Sequence, residues 1–393
     1  MIQIAILGHG VVGTGTARMI EDNREQIARA VGDTVAVKYI LDIRDLPDSP
    51  WADRIVHDYG VILADPEVAL VAELIGGSEP AHTFALEALR RGKHVVTSNK
   101  ECVSKFGAEL SAEAAAHGVS YLFEASCGGG IPVVHPLLQD LAANRITEIS
   151  GILNGTTNYI LTKMFREGAQ FADALKEAQD RGYAERNPSA DVDGHDACRK
   201  INILSACVTD ELWDDSRIYT EGITAVRTVD VAAADRAGYA VKLLGRMTEG
   251  YRFVAPHLVP YSCPLSHADD VFNAVLVRGN YVGDVMFYGR GAGAEATASA
   301  VVADVVAALS LPARSRVWTE EDSPKPLSSF SCPRYLTCDE ADGHALLAAL
   351  PVSARRVDAP EGEVALITDP LSERDMEAVR AAVALRSHLR VWA

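Results

Sequence analysis

The sequence predicts an α/β protein with more than one domain, and three observations support this fold class. The chain has 393 residues, which is longer than one ordinary hydrophobic core can hold. Its first 125 residues alternate short β-branched segments with longer helical patterns, which is typical of a parallel sheet covered by helices on both faces. Beyond about residue 130, helices mix with shorter strands, and this change predicts an α+β domain.

The composition is that of a globular protein and disfavours two classes of partner. The 37 Lys and Arg residues are outnumbered by 54 Asp and Glu, and the net charge of −17 repels nucleic-acid phosphates. The most apolar helical segment, Ala296–Leu311, contains Asp304 and is too short to span a membrane. The seven cysteines form no CxxC pair, which argues against a structural zinc site or a disulfide framework. We therefore expect a cytoplasmic protein without nucleic-acid or membrane partners.

The first predicted domain covers residues 1–130 and is a doubly wound, dinucleotide-binding domain. Short runs rich in Val and Ile predict its strands, and longer amphipathic runs predict its helices. The strands are expected at Ile2–Leu7, Val35–Leu41, Leu70–Ile75, His94–Thr97 and Ser120–Phe123, and the helices at Val12–Val31, His82–Arg91 and Gly107–His117.

The second predicted domain covers residues 131–312 and is expected to bind substrate. A helix near residues 296–311 follows a glycine-rich segment and is a candidate to return to the first domain. The other helices are expected at Val133–Ala143, Asn158–Glu167, Phe171–Arg181, His195–Thr209 and Val231–Leu244, and the strands at Ile146–Leu153, Phe253–Pro260, Asn273–Gly279 and Asp284–Tyr288.

Residues 313–333 have the composition of a linker, with Pro, Ser and mixed charges, and residues 334–393 form a small third predicted domain. Ser372 and Asp375 are spaced as a capping box for one of its helices. The predicted order is βαββαβ, which amino-acid-sensing modules share with many unrelated domains. The strands are expected at Arg334–Cys338, Ala354–Asp358, Glu363–Asp369 and His388–Trp392, with helices at His344–Leu350 and from Ser372 to Leu385.

The segment Gly8-His-Gly-Val-Val-Gly13 follows a predicted strand and opens a helix. Gly8 permits the tight turn, Gly10 lets the backbone approach a pyrophosphate, and Gly13 allows the helix to pack closely on the strand. This context favours a nucleotide-binding Rossmann domain over a purely structural glycine turn. At the end of the second strand, Asp42 favours the ribose hydroxyls of NAD, whereas Arg44 favours the 2′-phosphate of NADP, so both cofactors remain open.

Two glycine-dense or polar turns follow later strands of this domain. Thr97-Ser-Asn-Lys100 falls at the carboxyl end of the sheet, where ligands bind, although Lys100 alone is equally consistent with a solvated loop lysine. Glu124-Ala-Ser-Cys-Gly-Gly-Gly-Ile-Pro132 offers a carboxylate and backbone carbonyls to a hard cation. Cys127 in that turn is interpreted as structural rather than as a nucleophile, because no His with a partner acid lies near it in sequence.

The second domain contains two further polar segments. Gly151-Ile-Leu-Asn-Gly-Thr-Thr-Asn158 suits a wall around a polar ligand, and its alternative explanation is a helix cap by Thr156 or Thr157. Asp196 and Lys200 are four residues apart and share one helix face. Alone, that spacing is typical of a surface ion pair. Downstream of a dinucleotide fold, such a lysine can instead deliver a proton to a carbonyl oxygen.

Together these segments resemble the homoserine dehydrogenase family over roughly residues 1–312. The similarity rests on four motifs that occur in the family's order: SNK at Ser98–Lys100, the EAS…GGGIP turn, GILNGTTNYIL at Gly151–Leu161, and GYAE…D…DG…D…K ending at Lys200. The resemblance implies a Rossmann domain, an α+β substrate and dimerisation domain, and a diverged or shortened ACT-like domain at residues 334–393. It also implies a homodimer or homotetramer.

The resemblance also implies roles for individual residues. Lys200 corresponds to the proton donor and acceptor, Asp196 to the carboxylate that positions it, and Lys100 to a second lysine near both ligands. Glu185 corresponds to the residue that receives the substrate ammonium. The remaining substrate contacts are Gly182, Asp191 and Thr157; the cofactor contacts are Gly8, Gly10, Val11, Val12, Gly13, Arg44, Thr97, Lys100, Gly182 and Gly293; and the monovalent-cation ligands, usually for sodium, are Glu124, Cys127, Gly129 and Ile131.

The expected activity is NAD(P)-dependent interconversion of L-homoserine and L-aspartate 4-semialdehyde in threonine and methionine biosynthesis. Cys127 and His195 depart from the small apolar residues expected at their positions, and His195 alone is most simply a surface or packing residue. The alternatives are another two-domain Rossmann dehydrogenase acting on a sugar or amino acid, and a nucleotide- or amino-acid-sensing regulator. Neither alternative requires Glu185, Asp196 and Lys200 together.

Overall fold

A computed structural model describes residues 1–313, 316–321 and 325–393, and the chain divides into two compact units. The first comprises Met1–Ala143, Asn202–Asp215 and Gly289–Asp322, and the second comprises Asn144–Ile201, Ser216–Tyr288 and Ser323–Ala393. The predicted linker at residues 313–333 falls partly outside the described residues, at 314–315 and 322–324. In the part of the chain that is described, no helix is long and apolar enough to cross a membrane.

The secondary structure alternates strands and helices in the first third and is mixed afterwards. The strands are β1 (Ile2–Leu7), β2 (Val35–Leu41), β3 (Ile55–Val56), β4 (Val68–Glu73), β5 (His94–Thr97), β6 (Tyr121–Leu122), β7 (Ile146–Ile152), β8 (Glu211–Trp213), β9 (Tyr219–Thr220), β10 (Tyr239–Thr248), β11 (Tyr251–Pro260), β12 (Phe272–Gly279), β13 (Gly283–Arg290), β14 (Thr319–Glu321), β15 (Ser331–Cys332), β16 (Arg334–Asp339), β17 (Ala354–Val357), β18 (Glu363–Thr368), β19 (Leu371–Ser372) and β20 (Ser387–Val391). The α-helices are α1 (Val11–Asp22), α2 (Arg24–Val31), α3 (Tyr59–Ala64), α4 (Ala81–Arg90), α5 (Lys100–His117), α6 (Val134–Leu138), α7 (Gly155–Glu167), α8 (Phe171–Asp180), α9 (Ser189–Val192), α10 (His195–Thr209), α11 (Thr228–Arg236), α12 (Ala294–Ser310), α13 (Gly343–Ala349) and α14 (Glu373–Ala382).

The first unit contains a six-stranded parallel sheet in the order β3-β2-β1-β4-β5-β6. The order reverses between β1 and β4, and in such sheets ligands bind outside the carboxyl ends of the strands at this switch point. The expected doubly wound Rossmann-like fold is confirmed. Helix α12 belongs to this unit, because Val301 and Val305 are buried in one core with Ile4 and Ile6 of β1.

The second unit contains a ten-stranded sheet that includes the C-terminal segment. Its main order is β13-β12-β7-β10-β11-β20-β16-β18-β17, with β9 also pairing with β11. Apart from the two-residue strand β19, which pairs with β15, residues 334–393 have the predicted βαββαβ order, and their four longest strands pair antiparallel as β20-β16-β18-β17. Strand β20 then pairs in parallel with β11, so the segment extends the sheet that carries β7 and β10. Its assignment as an ACT-like domain stays a prediction.

Several predicted helices were wrong in extent. The helix expected at Val231–Leu244 ends at Arg236, because Gly238 is left-handed (φ +88°) and Tyr239–Thr248 forms a strand. That strand is apolar along nearly its whole length, and periodicity cannot distinguish such a run from a helix. The single helix expected at Val12–Val31 is two helices, divided at Asn23. The helix expected at Val133–Ala143 ends at Leu138.

Candidate active site

The turn between β1 and α1 has the geometry of a phosphate cradle. Gly8 is left-handed (φ +97°), and a Cβ there would lie 2.9 Å from the Leu74 carbonyl oxygen. A Cβ at Gly13 would lie 1.9 Å from the Gly8 carbonyl oxygen, so only glycine permits this strand–helix contact. Gly10 caps α1, and a Cβ there would meet no atom of the described residues within 4 Å. The backbone at Gly10 therefore faces open space at a helix N-terminus, as pyrophosphate binding requires.

A cavity of about 670 Å³ adjoins this turn and lies wholly within the first unit. Gly10, Val11, Arg18 and Arg44 line it, together with the first residues of α12. Val11 is 72% exposed, so its side chain is accessible from the cavity. Val12 is half-buried against the core instead, and Gly293 is the N-cap of α12 with φ +123°. The cavity and the open glycine backbone fit a dinucleotide.

Asp42 and Arg44, which the sequence left as alternatives, form one ion pair. The Asp42 carboxylate accepts four hydrogen bonds: from the Arg44 Nε (2.9 Å), Nη2 (2.9 Å) and backbone nitrogen (3.0 Å), and from the His9 backbone nitrogen (2.9 Å). The Arg44 guanidinium holds the pKa of the Asp42 carboxyl well below its usual range. Asp42 is buried while the Arg44 side chain is 56% exposed, so Arg44 is the more accessible of the two to a ligand.

Thr97, at the carboxyl end of β5, belongs to a hydrogen-bonded network that the sequence did not predict, and Lys100 follows it at the start of α5. The Thr97 hydroxyl donates to Glu73 Oε2 (2.7 Å) and accepts from the Asn99 backbone nitrogen (2.9 Å). Asn99 caps α5, so that Lys100 is the first residue of the helix. Glu73 also accepts from the Ile75 backbone nitrogen (2.7 Å). The network joins the loops that follow β4 and β5 at the edge where ligands bind.

Asn154 is the centre of the polar site in the second unit. Its Oδ1 accepts from the Thr157 backbone nitrogen (2.9 Å) and so caps α7. Its Nδ2 donates to Asp191 Oδ1 (2.7 Å) and to Asp196 Oδ2 (2.9 Å). One amide thus holds two carboxylates that would otherwise repel each other. Burial raises the pKa of Asp191, and the hydrogen bond from Asn154 opposes that rise.

Lys200 is held in one orientation by this cluster. Its Nζ donates to Asp196 Oδ2 (2.7 Å) and to the Leu153 carbonyl oxygen (2.8 Å). Both Lys200 and Asp196 are buried, unlike the partners of a surface ion pair. Since α10 presents the two side chains on one face, Asp196 holds the buried Lys200 ammonium in a fixed position, as the four-residue spacing allows. Such a group can exchange a proton with a bound alcohol or carbonyl oxygen.

The segment between α8 and α9 supplies the other predicted substrate contacts. Gly182 has φ +74°, and Glu185 is exposed. Thr156 fixes this segment, because its hydroxyl donates to the Tyr183 carbonyl oxygen (2.6 Å). Gln179 Nε2 also donates to the Glu185 carbonyl oxygen (3.1 Å). The Glu185 carboxylate is therefore carried by a segment fixed at its backbone.

Glu124 is buried and holds the turn before α6. Its carboxylate accepts from the backbone nitrogens of Val133 (2.6 Å), Val134 (2.9 Å) and His135 (2.6 Å). The Asp304 carboxylate accepts from the Glu124 backbone nitrogen (2.8 Å) and lies 2.7 Å from His135 Nε2. Burial raises the pKa of Asp304 to about 6. Since two carboxylate oxygens offer about four acceptor positions, Glu124 retains room for a further ligand.

The other predicted cation ligands lie in the same turn. Cys127 and Ile131 are buried, and Gly129 has φ +60° with the Gly291 backbone where its Cβ would stand. The Cys127 backbone nitrogen donates to the Glu124 carbonyl oxygen (3.3 Å), which closes the turn. Among the described residues, no group of three His, Cys, Asp or Glu side chains has metal-binding geometry. A cation here would depend mainly on backbone carbonyl oxygens.

The alternative explanation of this segment, a cap of α7 by Thr156 or Thr157, was wrong. Asn154 is the cap, and the Thr157 hydroxyl is itself bonded to Asn154, at 3.1 Å from Oδ1 and 3.2 Å from the carbonyl oxygen. The sequence signal for this cap was present, because Asn is a strong N-cap residue and stands directly before the helix.

The role of Glu73 had no comparable sequence signal, since its partner Thr97 is 24 residues away. His195 is exposed, in line with its interpretation as a surface residue.

The buried carboxyl of Glu73 predicts a pH-dependent stability. Burial raises its pKa to about 7, so its contribution to folding is present below the usual carboxyl pKa and is lost as the pH rises through 7. Between pH 5 and 8, the wild type should lose on the order of 3 kcal/mol of unfolding free energy relative to Glu73→Gln. Melting temperatures across this range measure the effect, with the exposed Glu87→Gln as control. Parallel curves for Glu73→Gln and the wild type would contradict the prediction.

Two roles of the glycine turn, helix–strand packing at Gly13 and pyrophosphate binding at Gly10, can be separated by a matched pair of variants. Gly13→Ala forces its Cβ against the Gly8 carbonyl and should lower the melting temperature sharply. Gly10→Ala meets open space in the unbound protein, so it should melt like the wild type yet bind the dinucleotide at least tenfold more weakly. Calorimetry and cofactor fluorescence measure the two effects. Unchanged cofactor affinity in Gly10→Ala would show that the pyrophosphate lies elsewhere.

Comparisons with known proteins identify the family to which the chain is similar. The chain matches family models described as "Homoserine dehydrogenase, NAD binding domain" over residues 8–124 and "Homoserine dehydrogenase" over residues 132–306. It is 44% identical to a homoserine dehydrogenase of Synechocystis over 316 residues, covering 78% of this chain and 72% of that protein. A relative in Pseudomonas aeruginosa is 41% identical over 86% of this chain and 80% of its own length.

Solved structures extend the similarity to the C-terminal segment. A homoserine dehydrogenase from Thiobacillus denitrificans has a TM-score of 0.91 at 36% identity, covering 100% of this chain and 98% of that one. An archaeal homoserine dehydrogenase in complex with NADPH has a TM-score of 0.67 at 27% identity, over 78% of this chain and 97% of that one. The chain therefore belongs to the homoserine dehydrogenase family.

Proposed function

We propose that this enzyme interconverts L-homoserine and L-aspartate 4-semialdehyde with NAD(P), as part of threonine and methionine biosynthesis in the cytoplasm. The observation that carries the proposal is the buried Lys200 ammonium, held by Asp196 and by the Leu153 carbonyl. Membership of the family argues against a sugar dehydrogenase, and a sensor would not need this proton donor.

The residues of the second unit account for the proton chemistry and for substrate orientation. When bound, NAD(P) supplies or accepts the hydride at the reacting carbon. In the reducing direction, Lys200 Nζ donates a proton to the aldehyde oxygen as it becomes an alcohol, and Asp196 keeps the ammonium aimed. Glu185 receives the substrate ammonium, and Asp191, Gly182 and Thr157 line the substrate. Much of the rate enhancement then comes from fixed orientation.

The first unit supplies the cofactor contacts except Gly182, which lies in the second unit. Gly8, Gly10, Val11, Val12 and Gly13 form the pyrophosphate turn, with Thr97 and Gly293 at later contacts. Lys100, at the first turn of α5, is proposed as the second catalytic lysine.

NADP is the cofactor that the Asp42–Arg44 pair favours. Asp42 already accepts four hydrogen bonds and has little capacity left for a ribose hydroxyl. Arg44 neutralises that carboxylate and remains half-exposed beside Arg18 at the cavity. Two guanidinium groups suit a 2′-phosphate.

A monovalent cation, most simply sodium, is proposed at the turn that contains Glu124. The carboxylate retains acceptor capacity beyond its three backbone donors, and the carbonyls of Cys127, Gly129 and Ile131 are carried by the same short turn. Oxygen ligands of this kind suit a hard cation.

A homodimer or homotetramer is supported by the edge strand β13. It ends the ten-stranded sheet and, with the turn before it, exposes Tyr281, Val282, Met286 and Tyr288. A long edge strand with exposed apolar side chains is a common site of pairing with a second copy. An ACT-like regulatory role for residues 334–393 is supported by their βαββαβ order.

The proposed function predicts a specific loss in Lys200→Ala. Turnover of homoserine, followed by NADPH absorbance, should fall roughly 100- to 10,000-fold, while NADPH binding stays near the wild-type value. Lys176→Ala is a matched control, because Lys176 and Asp180 form an exposed pair with the same four-residue spacing, and it should be fully active. Turnover near the wild-type rate in Lys200→Ala would overturn the assignment.

A further inference from the structure

The turn that carries Asp191 rests on a short segment of the second unit, residues 219–223. The Ile223 backbone nitrogen donates to the Val192 carbonyl oxygen (2.8 Å). A Cβ at Gly222 would lie 2.0 Å from that same oxygen, so the two backbones are in direct contact. Gly194, with φ +87°, leads into α10, and its Cβ position lies 3.1 Å from Thr220 Cγ2. The segment 219–223 therefore packs against the backbone next to Asp191 and at the start of α10, and it fixes the position of both.

A buried arginine of the C-terminal segment holds this segment. Arg390 of β20 is 2% exposed, and its Nη1 donates to Glu221 Oε2 (2.8 Å). The Tyr219 hydroxyl donates to the same oxygen (2.9 Å), and the Arg390 guanidinium carbon lies 4.8 Å from the centre of the Tyr219 ring. On its other side, Arg390 Nε (3.1 Å) and Nη2 (2.6 Å) donate to Glu373 Oε1.

The backbone of Arg390 is fixed as firmly as its side chain. It pairs with His257 of β11 on one side and with Arg334 of β16 on the other. Because the guanidinium is buried between two carboxylates, its removal takes away the counter-charge of Glu221, whereas Glu373 keeps its ion pair with Arg334. Glu221 is also anchored at its backbone nitrogen, which donates to the Val254 carbonyl oxygen (2.9 Å). Loss of Arg390 would thus act first on the Glu221 side chain and the adjoining Gly222.

We propose that Arg390 is a positioning residue for the substrate site, so that the C-terminal segment takes part in holding the Asp191 and Asp196 side chains in place. Arg390 does not touch the substrate. It holds Glu221, and Glu221 fixes the adjoining Gly222 against Val192. Val192 is the neighbour of Asp191 and lies four residues before Asp196. The proposal rests on the proposed function for its kinetic consequence: the C-terminal segment governs affinity for homoserine and not for the nucleotide, whose proposed contacts other than Gly182 lie in the first unit.

The kinetic test is a double-mutant cycle of Arg390→Gln and Glu221→Gln, with Trp392→Phe as control. Trp392 also ties the C-terminal segment to the sheet, through Nε1 to Glu148 Oε1 (3.1 Å), but at a site that does not involve residues 219–223. Each cycle variant should raise the KM for homoserine roughly 3- to 30-fold and leave the KM for NADP unchanged. The double variant should be no worse than Arg390→Gln alone, because both changes break one connection. Trp392→Phe should keep the wild-type KM.

A second readout is independent of activity. Amide hydrogen exchange at residues 191–194 should be faster in Arg390→Gln than in the wild type, and unchanged in Trp392→Phe. Arg390→Lys keeps the charge and should recover part of the protection and of the KM. If Arg390→Gln does not fold, Glu221→Gln carries both measurements, since its carboxamide keeps the size of the side chain.

Three kinetic results would overturn the proposal: an unchanged KM for homoserine in a folded cycle variant, additive KM effects in the double variant, or an equal rise of KM in Trp392→Phe. Unchanged exchange at residues 191–194 would do the same. If the wild type itself does not turn over homoserine, the proposed function fails, and hydrogen exchange still decides whether Arg390 holds the turn.

Discussion

The proposed substrate site depends on one amide group, that of Asn154, which keeps the partly buried Asp191 and the buried Asp196 together. Its nitrogen donates to both Asp191 and Asp196, and its oxygen caps α7. Without these donors, two carboxylates in a site of low dielectric would repel each other, and one would lose its charge or move. Lys200 takes its orientation from Asp196, so its aim depends on Asn154 as well. The end of β7, the start of α7 and the first turn of α10 thus act as one structure.

Local electrostatics explain how an acidic chain binds anionic ligands. The net charge is −17, yet the cofactor cavity combines the N-terminus of α1 with Arg18 and Arg44, and Asp42 beside it is neutralised by Arg44. In the second unit, Lys200 supplies a buried positive charge beside Asp196. The carboxylates around it suit the ammonium group of an amino-acid substrate. Screening confines the effect of the remaining surface charge to about a Debye length, roughly 8 Å at physiological salt. The net negative charge of the chain therefore does not prevent anionic ligands from binding at these sites.

The sequence predicted features that depend on neighbours along the chain. The glycine turn and the pairing of Asp196 with Lys200 follow from spacing alone, because strand-turn-helix and helix periodicity are local. Asn154 was missed as the central residue because its partner Asp191 lies 37 residues away. The parallel pairing of Leu258 with Val391 had no sequence signal either, so the C-terminal segment was expected as a separate domain rather than as part of the second sheet. Which distant strands pair depends on tertiary packing, and the hydrophobic periodicity of a single segment does not show it.

The most direct test of this account is the kinetics of Asn154→Ala. Loss of the amide leaves Asp191 and Asp196 without their common donor, so kcat/KM for homoserine should fall at least about 100-fold. The dissociation constant for NADPH should stay at the wild-type value, since the cofactor cavity lies in the first unit. A folded Asn154→Ala protein with wild-type kcat/KM would contradict the central role of this amide.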